Sequence, residues 1–191
     1  MAFYDGIKEQ IKTKNNKIDK RKEELRKINP KKRCGRGVIS LLNESMQENE
    51  KVLYFTSGSC EKKFYNVFVT NKKVILLSSI LLQKEQLQVP IEKISSISAN
   101  TGFIFGRIQI WDGSSSSVIV EKVTNNDAKK FVNKVNEQIN NYKSFKIEIN
   151  QNTERDITDK IEKLAELHKD GVLTDYEFAI KKMELLEGLK K

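Results

Sequence analysis

The side chains able to do chemistry in this chain are few and poorly placed for catalysis. His168 is its only histidine, and Cys34 and Cys60 are its only thiols. A zinc site takes three or four ligands, mostly Cys and His. Three such residues scattered from 34 to 168, in unrelated contexts, do not supply one. A Ser–His or Cys–His nucleophile would have to use that single histidine. His168 instead falls in the last turn of a predicted helix, where a basic side chain favours the dipole. No glycine-rich phosphate loop occurs, because Gly102 and Gly106 are too sparse for either nucleotide fingerprint. No Gly-x-Ser-x-Gly elbow occurs, and Ser114 to Ser117 reads as a hairpin loop. The expectation is no metal, no cofactor and no enzymatic activity.

The one dense cluster of charge is basic. Arg26, Lys27, Lys31, Lys32, Arg33 and Arg36 place six positive groups and no negative ones within 11 residues. Such a run can hold nucleic acid or an anionic inner membrane leaflet. It can equally be a solvated stretch, and both readings stand. No aromatic residue lies within it, so stacking on single-stranded bases has no support. The net charge of +9 is concentrated here: residues 1–37 carry 13 Lys/Arg against 5 Asp/Glu.

The elements that must position these groups follow from periodicity. Phe3 to Ile28 reads as a helix ended by Pro30. Tyr4, Ile11, Ile18 and Leu25 recur every seven residues, with Ile7 and Ile28 on the adjoining seam. That suits a weak coiled coil or a helix leaning on the main domain. A short helix places Val38, Leu41, Leu42 and Met46 on one side. About seven strands follow, near 52–56, 64–70, 74–77, 86–90, 94–98, 104–110 and 118–120. Ile104, Ile108 and Ile110 share one face at period two. Asp112-Gly113 marks a hairpin, and Gly102 and Gly106 mark strong bending. An amphipathic helix then carries Ala128, Phe131, Val132, Val135 and Ile139, with Asn126 as its cap. Bent sheets with a helix plugging an open end satisfy this order.

Residues 143–155 read as a polar linker, in which Ile147 and Ile149 could add a short edge strand. A helix–turn–helix ends the chain. Gly171 supplies the left-handed C-cap, and Thr174 with Glu177 forms a capping box. Ile157, Ile161, Leu164 and Leu167 form a stripe on the first helix. Phe178, Met183, Leu185, Leu186 and Leu189 surround much of the second. Two such helices cannot cover this surface between themselves. It either docks against the chain's own barrel or N-terminal helix or pairs with another copy or a partner protein, with Leu164, Leu167, Phe178, Met183 and Leu186 as the expected interaction surface.

Two stretches carry family resemblances. Glu50-Lys51-Val52-Leu53, Val67 to Leu76, Val89-Pro90-Ile91-Glu92-Lys93-Ile94-Ser95-Ser96-Ile97, Gly102 to Ile110 and the closing helix resemble the bacterial pleckstrin-homology-like domain. Leu164 to Phe178 closely resembles the short C-terminal domain, SHOCT, of bacterial and phage proteins. The resemblance implies an α+β fold: a bent antiparallel barrel or sandwich capped by a helix, with helices at both ends. It implies a protein-binding or scaffold role, by self-association into a homo-oligomer or by docking a protein partner. Weak contact with nucleic acid or anionic lipid through the basic arm is the alternative. Eukaryotic relatives that bind phosphoinositides use spaced basic residues ending in arginine in the first hairpin, whereas Lys62 and Lys63 stand here without one. The expected layout is a basic helix and arm (1–37), the barrel domain (38–142), the linker (143–155) and the hairpin (156–191). No apolar run reaches the roughly 18 residues of a membrane span, and residues 1–14 lack the apolar core of a secretory signal. A cytoplasmic protein is expected.

Overall fold

The computed structural model describes residues 2–80, 83–114 and 116–187, with only the backbone at 2–4 and 153. The Tyr4 side chain, Ser115 and Leu189 lie outside the described residues. The elements are α1 (Ala2–Ile28), α2 (Arg36–Ser45), β1 (Val52–Cys60), β2 (Lys63–Thr70), β3 (Lys73–Ile80), β4 (Gln83–Pro90), a 3₁₀ turn (Ile91–Lys93), β5 (Ser96–Thr101), β6 (Phe105–Trp111), β7 (Ser117–Thr124), α3 (Asn125–Lys169) and α4 (Asp175–Glu187). They form two compact units, Met1–Asn140 and Asn141–Lys191.

In the first unit the strands run β4-β3-β2-β1-β7-β6-β5, antiparallel throughout. β1 pairs along its length with β2 and meets β7 at Ser59↔Glu121. Glycine is needed beside that junction: a Cβ on Gly58 would lie 2.6 Å from the Glu121 carbonyl oxygen. The missing side chain lets the two halves of the sheet close on each other.

The central strands β2 and β3 are buried on both faces. Inside the bend, Val67, Val69, Val74 and Leu76 pack with Ile108, Ile110, Val120 and Val123. The first turns of α3 drive Ala128, Phe131, Val135 and Ile139 into this core, as the helical stripe requires. On the opposite face Phe55 and Phe68 stack with ring centroids 5.6 Å apart. Ile75 and Leu77 complete that face, covered by Ile18 and Leu25 of α1 and Val38, Ile39, Leu41 and Leu42 of α2. The sign was present in β2 and β3, where consecutive apolar residues replace the alternation of a one-sided sheet.

Several expectations need correction. Of the two readings of α1, its C-terminal half follows the helix leaning on the main domain rather than the coiled-coil seam, because Ile18 and Leu25 pack on the sheet, while Ile11 remains 55% exposed. Residues 143–155 are helical, as are Ile147 and Ile149 within them. Polar composition suggested a break there, yet nothing between Asn125 and Lys169 is Gly or Pro, the residues that end helices. Ile104 precedes β6 and is exposed, unlike Ile108 and Ile110. Asn126 lies within the first turn of α3. Thr124 caps it, with Oγ1 accepting from the Asp127 amide at 3.4 Å and donating to the Asp127 carboxylate at 2.8 Å.

Candidate functional site

The basic run begins where α1 ends. Pro30 cannot continue the helix, and Asn29 turns inward. Its buried side-chain amide donates to Phe55 O (3.0 Å), Tyr54 Oη (3.2 Å) and Asp127 Oδ1 (3.3 Å). Tyr54 also donates to Asp127 at 2.7 Å, and Lys32 Nζ lies 3.4 Å from the same carboxylate. Burial acts to raise the Asp127 carboxyl, but the Tyr54 and Thr124 hydroxyls and Lys32 outweigh it and hold it below its ordinary range. Burial first, then the neighbouring carboxylate, pushes the Tyr54 phenol well above its usual value. This knot ties the segment after α1 to β1 and to the start of α3.

The six predicted anion-binding residues therefore divide. Arg26 pairs with Glu23 at 2.6 Å, Arg36 with Asp19 at 3.1 Å and Lys32 with Asp127. Lys27, Lys31 and Arg33 are exposed. Arg26, Lys32 and Arg33 come together around a cleft of about 180 Å³ that Lys22 also lines, with Leu25, Ile39 and Phe55 as its apolar wall. Lys27, Lys31 and Arg36 do not line it. Lys22 was not singled out from the sequence, although its spacing four residues before Arg26 puts both on one helix face. Cys34 also lines the cleft. Burial pushes its thiol up to about 12, so it is a neutral, inert group at physiological pH.

In the first β-hairpin Lys62 is exposed, while the second lysine is engaged. Lys63 pairs with Glu85 at 2.6 Å, and Glu85 also accepts from the Tyr65 hydroxyl. The β5–β6 turn presents an unexpected apolar tip. Phe103 is fully exposed, followed by the exposed Ile104 and Phe105. The turn is held by Gly102 N to Phe105 O (3.1 Å) and by Asn125 Nδ2 to Gly102 O (2.7 Å). Three apolar residues between two glycines were its signal.

In the second unit the turn forms as its residues require. Gly171 adopts φ +72°. The Thr174 amide donates to Glu177 at 3.0 Å and the Glu177 amide to Thr174 Oγ1 at 3.3 Å. His168 meets Asp175 at 2.6 Å and stacks on Phe178 with centroids 4.9 Å apart. Phe178 is thus engaged inside the turn rather than offered outward. Of the other predicted surface residues, Leu164 is half-buried, while Leu167, Met183 and Leu186 are 42%, 57% and 41% exposed. α4 holds no buried residue. Leu164, Leu167 and Leu185 line an open groove of about 400 Å³ edged by Lys160, Lys163, Lys181 and Glu184.

Residues 46–137 match the family model for the bacterial PH domain. The chain therefore carries a bacterial PH domain, folded as a bent antiparallel sheet closed by a helix. A short C-terminal domain, matched over residues 159–186, follows it in the order the sequence suggested. Solved structures similar to this chain include the Vps36 N-terminal PH domain, at 14% identity and TM-score 0.42, over 52% of this chain and 86% of that one. A DUF1696 family protein with a pleckstrin-homology domain from Shewanella loihica PV-4 matches at 15% identity and TM-score 0.41, over 52% and 87%. A pleckstrin homology domain from Shewanella amazonensis SB2B matches at 13% and 0.39, over 52% and 93%. No curated protein sequence matches the chain. No helix among the described residues is long and apolar enough to cross a membrane.

Proposed function

We propose that this chain is a non-enzymatic scaffold that assembles through its C-terminal hairpin, with a second copy of the hairpin as the occupant of its open apolar face. One observation carries this reading: α4 is a well-capped 13-residue helix in which no residue is buried. Helices this short are marginal in water without a packed face. Leu164, Leu167 and Leu185 line the groove, and the exposed Met183 and Leu186 add apolar surface on α4 beyond it, each side chain worth about 1.5–3 kcal/mol when fully buried. Charge complementarity favours a like partner. Three lysines edge the groove, while residues 157–187 carry eight Asp/Glu against five Lys. A second hairpin brings apolar residues for the groove and carboxylates for its rim, the self-complementarity a two-fold interface needs.

Replacing Met183 and Leu186 together by Glu tests this. Both are exposed within one chain, so the fold of the single chain is left alone. Light scattering is expected to give a multiple of 22.1 kDa for the native chain and the single-chain mass for M183E/L186E. A native protein of single-chain mass would contradict self-association. An unchanged oligomer in the double variant would place the interface elsewhere, for example at the Phe103 tip.

A further inference from the structure

We propose that the cleft between the last turns of α1, the segment 32–34 and the sheet binds a phosphate monoester dianion through Lys22, Arg26, Lys32 and Arg33. Four cationic side chains and no carboxylate line this one concavity. Two of the four charges are offset from outside it, Arg26 by Glu23 and Lys32 by Asp127. Lys22 and Arg33 leave about two positive charges facing the space, which matches the −1.5 to −2 of a phosphate monoester near neutral pH.

The helix end does not explain this gathering. Basic residues in a last turn answer the carbonyl end of the dipole, which accounts for Arg26. Lys32 and Arg33 lie beyond α1, and Lys32 is held over the cleft by the Asn29–Asp127 knot. The knot fixes the placement of Lys32 in advance, so this cation is not a property of a loose arm. Ile39 and Phe55 are fully buried and Leu25 nearly so, so the floor is closed and apolar. Charge–charge attraction is stronger beside such a floor than in open water. Two guanidinium forks suit phosphate oxygens better than ammonium groups alone.

The volume also limits the ligand. At about 180 Å³ the cleft is smaller than the roughly 300–1,000 Å³ of sites that enclose drug-sized molecules. It accommodates a phosphoryl group and the first few atoms of what it is attached to. The rest of the ligand lies outside, so a soluble ester and a phosphate-ended lipid headgroup share the same recognition. The site is separate from the first β-hairpin, where Lys63 is already neutralised by Glu85.

Titration calorimetry on the full chain tests this, with inorganic phosphate and then glycerol phosphate at constant ionic strength. Saturable binding is expected. Lys22→Gln and Arg33→Gln should each weaken it about tenfold or more, the scale of one lost charge-assisted contact. Lys31→Gln removes the same charge outside the cleft and should change affinity less than about twofold. All three positions are exposed or half-exposed, so folding is preserved, as circular dichroism will show. Vesicles of phosphatidylcholine with and without phosphatidic acid identify the source. Selective capture lost in K22Q and R33Q assigns a lipid headgroup, and indifference to the vesicles with ester binding intact assigns a soluble ester. Absence of saturable binding to any of these probes overturns the proposal. So does an equal loss in all three variants, which would mean diffuse attraction to a basic surface.

Discussion

Asp127 is the residue on which the first unit turns. Its carboxylate accepts from Tyr54 and Thr124, faces Lys32 and receives the Asn29 amide. Hydrogen bonds to a buried charge are worth about 1.5–3 kcal/mol each, far less once non-additivity is counted. Asp127→Ala should therefore cost about 2–4 kcal/mol in urea unfolding, and Asp127→Asn about 1–2. The pH dependence has a definite sign. The folded carboxyl titrates below the unfolded one, so its contribution is complete above the unfolded value of about 3.9 and fades as pH falls through the folded value. The stability gap between native protein and D127N should be widest near neutrality and narrow once pH falls below the unfolded value of about 3.9; a constant gap would deny the carboxylate its role. This knot was hidden from sequence reading. Lys32 reads as one charge in a basic run, and nothing local tells Asn29 that its partner lies 98 residues ahead. Gly171, Thr174 and Glu177 were legible because capping is local chemistry, complete within a few residues.

At the scale of elements, α3 was legible where one face is buried and illegible where none is. Phe131 sits in the core as its stripe demanded, and Phe131→Ala should cost about 3–5 kcal/mol. A loss under about 1 kcal/mol would remove the plug from the account. Past Ile139 apolar periodicity thins, and the eye supplies a linker where the backbone continues as helix. α1 offered two readings, a coiled-coil seam or a helix leaning on the main domain, and its C-terminal half takes the second. Leu25→Ala should cost about 2–4 kcal/mol because Leu25 belongs to the second core. Ile11→Ala should cost under about 0.5, since Ile11 is largely exposed. Equal costs would mean that α1 acts as one continuous packed helix. The continuous apolar runs of β2 and β3 announced a covered second face, yet not which elements cover it. That is a tertiary choice settled by where α1 and α2 can reach.

At the scale of the molecule, the two units differ in how they satisfy their apolar surface. The first buries it internally on both faces of its sheet. The second leaves it open, with α4 unburied along its described length. The PH domain and the hairpin were legible as families because their turn and strand motifs are contiguous in sequence. The proposed pairing of the hairpin with a second copy has no contiguous sequence motif, so only chemistry argues for it. The central claim is that an apolar, self-complementary face joins one copy to another. Sedimentation equilibrium of the full chain at low and high salt tests this most directly. A mass of two or more chains is expected at both, with an association constant that falls only modestly as the rim ion pairs are screened, because apolar burial carries most of it. A single-chain mass at both salts would contradict the account, as would an oligomer that dissociates steeply as salt rises.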